Sequence, residues 1–154
     1  MAEITLKPIG FVRNIRFGLD DDEWGDVVSE IRLDESIPVK SLTGVETFSH
    51  AEIVFQFDRV ADEVDIPMMR HPRGNQEWPQ VGIFAQRNKD RPNHLGLTIV
   101  GIVKCEGRSL YVKGLDAVDG TPVLDIKPVF AEFLPDETIR QPGWSHELMK
   151  HYWG

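Results

Sequence analysis

Apolar and polar positions alternate in short runs along this chain, and the runs are separated by Gly, Pro and acidic turns. Val27 to Leu33 (VVSEIRL) alternates cleanly and predicts a half-exposed strand. Ile4 to Ile15 (ITLKPIGFVRNI) has the same period, broken at Pro8 and Gly10, and predicts a first strand with a bend or bulge. Ala51 to Val60 (AEIVFQFDRV) is rich in Ile, Val and Phe and predicts a mostly buried strand. The apolar run Val81, Ile83, Phe84, Ala85 predicts a strand that stops at Gln86-Arg87, and the pattern resumes at Leu95. Leu97 to Cys105 and Leu110 to Gly114 read as a hairpin across Glu106-Gly107-Arg108-Ser109. Asp116 to Pro128 (DAVDGTPVLDIKP) reads as a turn, a short strand and another turn. Helical signals are few: a single turn over Pro38 to Gly44, and a short amphipathic helix over Glu147 to Tyr152, packing on the same barrel or on a neighbour.

Many short strands and few helices predict an all-β chain folded as one small β-barrel with short helical turns and long loops. We find no internal repeat and no boundary, so residues 1–154 read as a single domain. Two loops stand out. Residues Ala61 to Pro79 form a long irregular connection carrying Arg70, His71, Arg73 and Asn75, and loops of that length are usually functional or mobile. Asp20 to Asp26 (DDDEWGD) is an acidic stretch around Trp24, read as a solvated turn in preference to a loop that orders on a ligand.

Composition narrows the function classes. Hydrophobic residues make up 41% of the chain, enough for a real core, and no apolar run approaches the roughly 20 residues a membrane helix needs. The N-terminus lacks signal-peptide features, and Cys105 is the one cysteine, which excludes an internal disulfide framework. A cytoplasmic location is the expectation, with Cys105 a buried, inert thiol. The net charge of −8 argues against a surface that coats nucleic acid nonspecifically. Charge is unevenly spread: between Arg70 and His94, five cations (Arg70, Arg73, Arg87, Lys89, Arg91) face two anions (Glu77, Asp90), a local +3. A basic island in an acidic chain points to a local anionic partner.

The polar loop Asn88-Lys89-Asp90-Arg91-Pro92-Asn93-His94 lies inside that island. Arg87 and Arg91 offer forked donors suited to carboxylates, phosphates and flat rings, and Asn93 offers a donor and an acceptor beside the rigid Pro92. The bland alternative is a salt-bridged Arg and a turn Asn holding the loop together. Asp116 and Asp119 flank an Asp-Gly-Thr-Pro turn. Asp119 reads either as a site residue or as a turn cap, and Asp125 as a proton acceptor or as a partner of Lys127. His50 reads as a hydrogen-bonded residue at a strand start. Nothing in the chain resembles a Gly-rich dinucleotide loop, a Walker A loop or a nucleophile elbow, and the five histidines lack metal-ligand spacing, so no metal is expected.

The segments GIFAQR, RPNHLGLTIV and GLDAVDGTPVLDIKP, with PIGFVR and FSHAEIVFQF upstream, resemble the signature of the tRNA-methyltransferase O family, the TsaA-like β-barrel methyltransferases. The resemblance runs from about Lys7 to about Phe133, with a short extension after it. It implies S-adenosyl-L-methionine as methyl donor and a homodimer whose site is shared between subunits. The implied acceptor is tRNA, at the exocyclic amine of the threonylcarbamoyl-modified adenosine beside the anticodon. Carried over by motif position, the cofactor-binding residues fall on Asp58 and Arg59, on Arg87 and Leu97, and on Asp119, Gly120, Thr121, Pro122 and Val123. Arg91 and Asn93 fall where substrate and cofactor are organised, with Asp125 as the candidate catalytic carboxylate. Methyl transfer from a sulfonium needs positioning more than covalent help, and an amine acceptor must also lose a proton. Three departures set this chain apart. His94 and Leu95 replace the usual proline and small aliphatic residue, DDDEWGD stands where a Pro-Arg-Gln-Pro-Gly segment is common, and the short tail is not expected to supply the separate C-terminal domain that many bacterial members carry. Methylation of a small metabolite and a non-catalytic nucleotide-binding module on the same barrel stay open as alternatives.

Overall fold

Alternation becomes a closed surface. In the computed structural model, which describes residues 2–14, 16, 21–57 and 66–154, eight strands form: β1 (Gly10–Arg13), β2 (Val28–Leu33), β3 (His50–Gln56), β4 (Met69–Arg70), β5 (Val81–Gly82), β6 (Leu95–Glu106), β7 (Ser109–Lys113) and β8 (Pro122–Pro128). Six of them close an antiparallel barrel in the order β1-β2-β7-β6-β3-β8, sealed where Gly10 and Phe11 of β1 pair with Val123 and Pro122 of β8. Closure leaves these strands no free edge. The period-two pattern decides which side chains enter. Ser29, Ile31 and Leu33 of β2, Ala51, Ile53 and Phe55 of β3, and Gly96, Thr98 and Val100 of β6 point inward and are buried. Val12, Leu110, Val112 and Val123 complete the filling, and each large apolar side chain buried this way contributes about 1.5–3 kcal/mol. Register shifts between Val54 and Phe55 and between Ile102 and Lys104 bend the strands enough to close the barrel.

The chain runs up and down around this barrel, so the connections β1–β2, β3–β6 and β7–β8 all leave from one rim. Among the described residues, the opposite rim carries the β2–β3 connection with its 3-10 turn Val39–Leu42, the tight β6–β7 turn and the N-terminal residues leading into β1, where Asp34 donates its N–H to the Ile9 carbonyl. After β8 the chain leaves that opposite rim. It passes through α1 (Gly143–Leu148) and returns to the first rim, where the carbonyls of His151, Tyr152 and Trp153 accept from the N–H groups of Glu23, Trp24 and Gly25. Topology alone thus gathers the polar loops in one place.

Several elements differ from expectation. The first strand is shorter, Gly10–Arg13, because Pro8 has no N–H to pair and pairing starts only where Ile9 donates to the Val123 carbonyl. Ile15 and residues 58–60 lie outside the described residues. The run from Val81 is a strand only as far as Gly82. A 3-10 turn (Ile83–Ala85) follows, which buries Ile83 and leaves Phe84 exposed. Within the described part of the 61–79 connection, β4 pairs with β5. The tail helix is Gly143–Leu148 rather than 147–152, and it packs on this chain: Trp78 Nε1 donates to Glu147 Oε2 at 2.8 Å. The acidic stretch is no free turn, since Asp22 pairs with Arg73 at 3.0 Å and Trp24 is buried. Cys105 is half-buried, with burial and the Glu46 carboxylate raising its thiol pKa. His50 takes the expected strand-start bond, to the Ser49 hydroxyl at 2.6 Å. Among the described residues, no helix is long and apolar enough to cross a membrane and no group of three metal-ligating side chains forms.

Candidate functional site at one rim of the barrel

The β7–β8 turn is the most tightly specified part of the rim. Gly120 takes φ +91°, which favours glycine, and its N–H donates to the Val12 carbonyl at 2.8 Å while the Val12 N–H donates to the Thr121 carbonyl at 2.9 Å. Thr121 is buried, and its hydroxyl donates to the Val118 carbonyl at 2.7 Å. Asp119 Oδ1 accepts the Asn14 N–H at 2.9 Å, and the Asp119 N–H donates to the Arg16 carbonyl at 2.7 Å. Asp119 thus ties the turn to the residue that follows β1 rather than capping its own turn, and its second oxygen has no partner among the described residues. Thr121 and Val123 act from inside: they hold the turn, and Asp119 and Gly120 form its outer edge.

Asn14 ties this turn to the strands beneath. Its amide nitrogen donates to the Ser29 hydroxyl and to the Ala117 carbonyl, both at 2.9 Å, and its oxygen accepts from the Arg16 N–H at 2.8 Å. Sequence reasoning passed over Asn14, whose partners lie up to 105 residues away. Two residues before Ala117's neighbour Val118, Asp116 accepts from the Thr98 hydroxyl with one carboxylate oxygen and from the Tyr152 hydroxyl with the other. Burial, then the negative charge of Asp116 and the bond to it, push the Tyr152 hydroxyl far above the ordinary tyrosine pKa.

Beside Thr98, the Leu97 carbonyl accepts from Arg87 Nη2 at 2.7 Å. Arg87 and Leu97, ten residues apart in the chain, meet here, and both are exposed. Arg87, Leu97, Thr98, Asp116, Ala117, Asn14 and Asp119 thus form one hydrogen-bonded path across the rim.

The loop itself is built largely from its own carbonyls. Arg91 Nη1 donates to the Gln86 carbonyl at 2.7 Å and the Asn88 carbonyl at 3.4 Å, and His94 Nδ1 lies 3.0 Å from the Lys89 carbonyl. Gln86 Nε2 anchors the base of the loop on the carbonyls of Arg70 and Val81. Asn93 and His94 adopt φ +66° and +51°, strained for residues with a side chain. Arg91 thereby spends itself on loop structure, while the Asn93 side chain is left exposed. Asn88, unremarked in the motif, has both amide atoms buried with no partner among the described residues.

Asp125 does not join this rim path. It lies on the outer face of β8, in the row Leu97–Val54–Asp125, where it pairs with Lys127 at 3.1 Å and accepts its neighbour's N–H. Asp58 and Arg59 lie outside the described residues. The last described residue before them, Phe57, donates its N–H to the His94 carbonyl at 2.7 Å.

A family model for the tRNA-methyltransferase O N-terminal domain matches residues 22–134. A human tRNA (adenine(37)-N6)-methyltransferase is 39% identical over 105 residues, which is 68% of this chain and 23% of that protein. A protein of Methanothermobacter thermautotrophicus named "Probable S-adenosyl-L-methionine-binding protein" is 34% identical over 133 residues, covering 84% of this chain and 93% of its own length. The crystal structure of TrmO from P. aeruginosa superposes with a TM-score of 0.74 at 26% identity, over 94% of this chain and 62% of that one. The chain spans about a quarter of the length of the mammalian relatives it matches.

Proposed function

Because the chain belongs to the tRNA-methyltransferase O N-terminal domain family, we propose that it is an S-adenosyl-L-methionine-dependent methyltransferase acting on tRNA. The proposed acceptor is the exocyclic N6 amine of the adenosine beside the anticodon, in its threonylcarbamoyl-modified form. The observation that carries this reading is the rim path from Arg87 and Leu97 to Asp119, which joins two of the three segments proposed to bind cofactor; the third, Asp58 and Arg59, lies outside the described residues.

The residues present fit the cofactor's chemistry. Arg87 has N–H groups beyond the one given to Leu97 and suits a carboxylate. The exposed Leu97 side chain beside it suits a flat ring. The unpartnered Asn88 amide suits the donor and acceptor edge of an adenine once the loop yields. The free oxygen of Asp119 suits a cation. When bound, the cofactor supplies an electrophilic methyl group on a sulfonium. What the chain supplies is order: the pinned Asp119 turn and the Leu97-anchored Arg87 hold their groups before any ligand arrives, so little is lost in reorganising them. A rim carboxylate is the acceptor for the amine proton: Asp119 is hydrogen-bonded into this network through Asn14, whereas Asp125 pairs with Lys127.

Dimerisation belongs to the same reading. Leu95, Leu97 and Ile99 line the outer face of β6 as an exposed apolar row running from the site, which a second copy of the chain would cover. A second acceptor class, a small metabolite, is favoured by the net charge of −8.

Calorimetric titration with S-adenosylmethionine and S-adenosylhomocysteine tests the cofactor reading. Methyl transfer to threonylcarbamoylated but not unmodified tRNA tests the acceptor. Absence of binding to either cofactor form would remove the methyltransferase reading. Binding without transfer to any tRNA would favour the metabolite.

A further inference from the structure

The tail beyond the family-matched segment is a working part of the rim. We propose that Tyr152 is a positioning residue for the cofactor site: its hydroxyl, together with that of Thr98, fixes the Asp116 carboxylate, and so locks the β7–β8 turn to the strand end on which Arg87 is anchored. This rests on the cofactor reading above.

Three observations carry it. First, the strap is specifically built. The N–H groups of Glu23, Trp24 and Gly25 donate to the carbonyls of His151, Tyr152 and Trp153 at 3.0, 2.8 and 2.9 Å. A Cβ on Gly25 would lie 2.0 Å from the Trp153 carbonyl oxygen, so the close approach requires glycine there. Tyr152 also packs edge-on against Trp153, with ring centroids 4.8 Å apart.

Second, the strap ends on a polar group that belongs to the site. Asp116 stands three residues before Asp119, and its two oxygens are both taken, one by the barrel (Thr98) and one by the tail (Tyr152). With only Thr98 in place, the carboxylate has one anchor and can swing. With both, its position is determined.

Third, Arg87 is within electrostatic reach. Its charge acts on the Tyr152 hydroxyl, and its guanidinium is held on the carbonyl of Leu97, the residue next to Thr98. Tail, turn and cationic anchor are thereby one unit assembled from β6, the β7–β8 turn and a C-terminal strap that comes over from the far rim.

The test compares Tyr152→Phe, which keeps the ring and loses only the hydroxyl, with Leu110→Ala, which opens the barrel core near the opposite rim, beside the β6–β7 turn. S-adenosylhomocysteine affinity is measured by calorimetry at a temperature where circular dichroism shows both variants folded, alongside thermal unfolding. Tyr152→Phe is expected to bind about tenfold more weakly, the usual scale for one hydrogen bond to a charged group. Leu110→Ala is expected to melt lower while binding as the parent does. That split supports a positioning role, since loss of stability alone leaves the affinity of the folded protein unchanged. If the parent binds and Tyr152→Phe binds equally well, or if Leu110→Ala weakens binding to the same degree, the positioning role is overturned while the cofactor reading stands. If the parent itself does not bind, the cofactor reading is overturned and the positioning role falls with it.

Discussion

Gly96 sits in the motif RPNHLGL, where a glycine invites a ligand explanation, and the barrel supplies a packing one. On β6 Gly96 points inward and pairs with Phe55 of β3. A Cβ built there meets the Phe55 ring at 2.4 Å (Cζ), 2.5 Å (Cε2) and 3.0 Å (Cε1). Carbon atoms settle at about 3.5–4.0 Å, so Gly96→Ala imposes an overlap of roughly 1 Å. The ring has little room to retreat: Phe55 is fully buried and stands edge-on to Phe57, with centroids 5.3 Å apart. Its backbone is paired on both sides, to Gly96 and to Val123. Overpacking of this kind costs about 1–3 kcal/mol, and the rigid surroundings place Gly96→Ala toward the upper end. For a chain of this size that corresponds to a melting point lower by roughly 5–10 °C. The assay is thermal and urea unfolding of the parent, Gly96→Ala, Phe55→Leu and the double variant. Trimming the ring in the Gly96→Ala background is expected to relieve the clash, so the double variant loses less than the two single losses combined. Strictly additive losses, or a Gly96→Ala protein that melts with the parent yet fails to bind cofactor, would show that the glycine serves a ligand and not the Phe55 ring.

Asp119→Asn keeps an oxygen for the Asn14 N–H and is expected to melt close to the parent, while Asp119→Ala orphans that donor and costs about 1–3 kcal/mol in urea unfolding; both should weaken cofactor binding. Lys89→Ala is expected to weaken tRNA binding and to flatten its salt dependence by about one unit of slope, read from affinities at several salt concentrations. Because the native Tyr152 hydroxyl holds its proton above the ordinary tyrosine value, its contribution to stability is complete below about pH 10 and is lost as the pH rises further. Unfolding at pH 8, 10 and 11 should therefore show the parent losing stability more steeply than Tyr152→Phe. Arg73→Ala removes a largely exposed ion pair to Asp22 and should cost less than about 1 kcal/mol, an effect that shrinks in high salt.

The barrel was legible because its information is local. Alternation in VSEIRL and AEIVFQ declares which side chains face inward, and the Glu106-Gly107-Arg108-Ser109 hairpin is written in its turn residues. Local rules serve other positions poorly. Alternation carries the first strand through Pro8, where no donor exists. Periodicity starts the tail helix at Glu147 although it begins at Gly143, because Trp144 is held by meeting Trp78 and not by any periodicity of its own. For Asp125 the sequence leaves two readings, a proton acceptor or a partner of Lys127, and the structure shows the pair with Lys127 on the outer face of β8.

What the sequence by itself determined is the class of fold and the family; the letters of the proposed site, Arg87, Leu97 and the Asp119 turn, were also readable from it. Residue type and period are properties of neighbours along the chain, and a motif keeps them together. What only the tertiary structure decided is which of those letters touch, and what holds them. Asn14 reaches Ala117, Thr98 reaches Asp116 and Tyr152 reaches the same carboxylate from the end of the chain. These contacts exist because antiparallel closure puts three connections on one rim and brings the tail back over it. No periodicity along the chain encodes a hydrogen bond between residues that only closure makes adjacent.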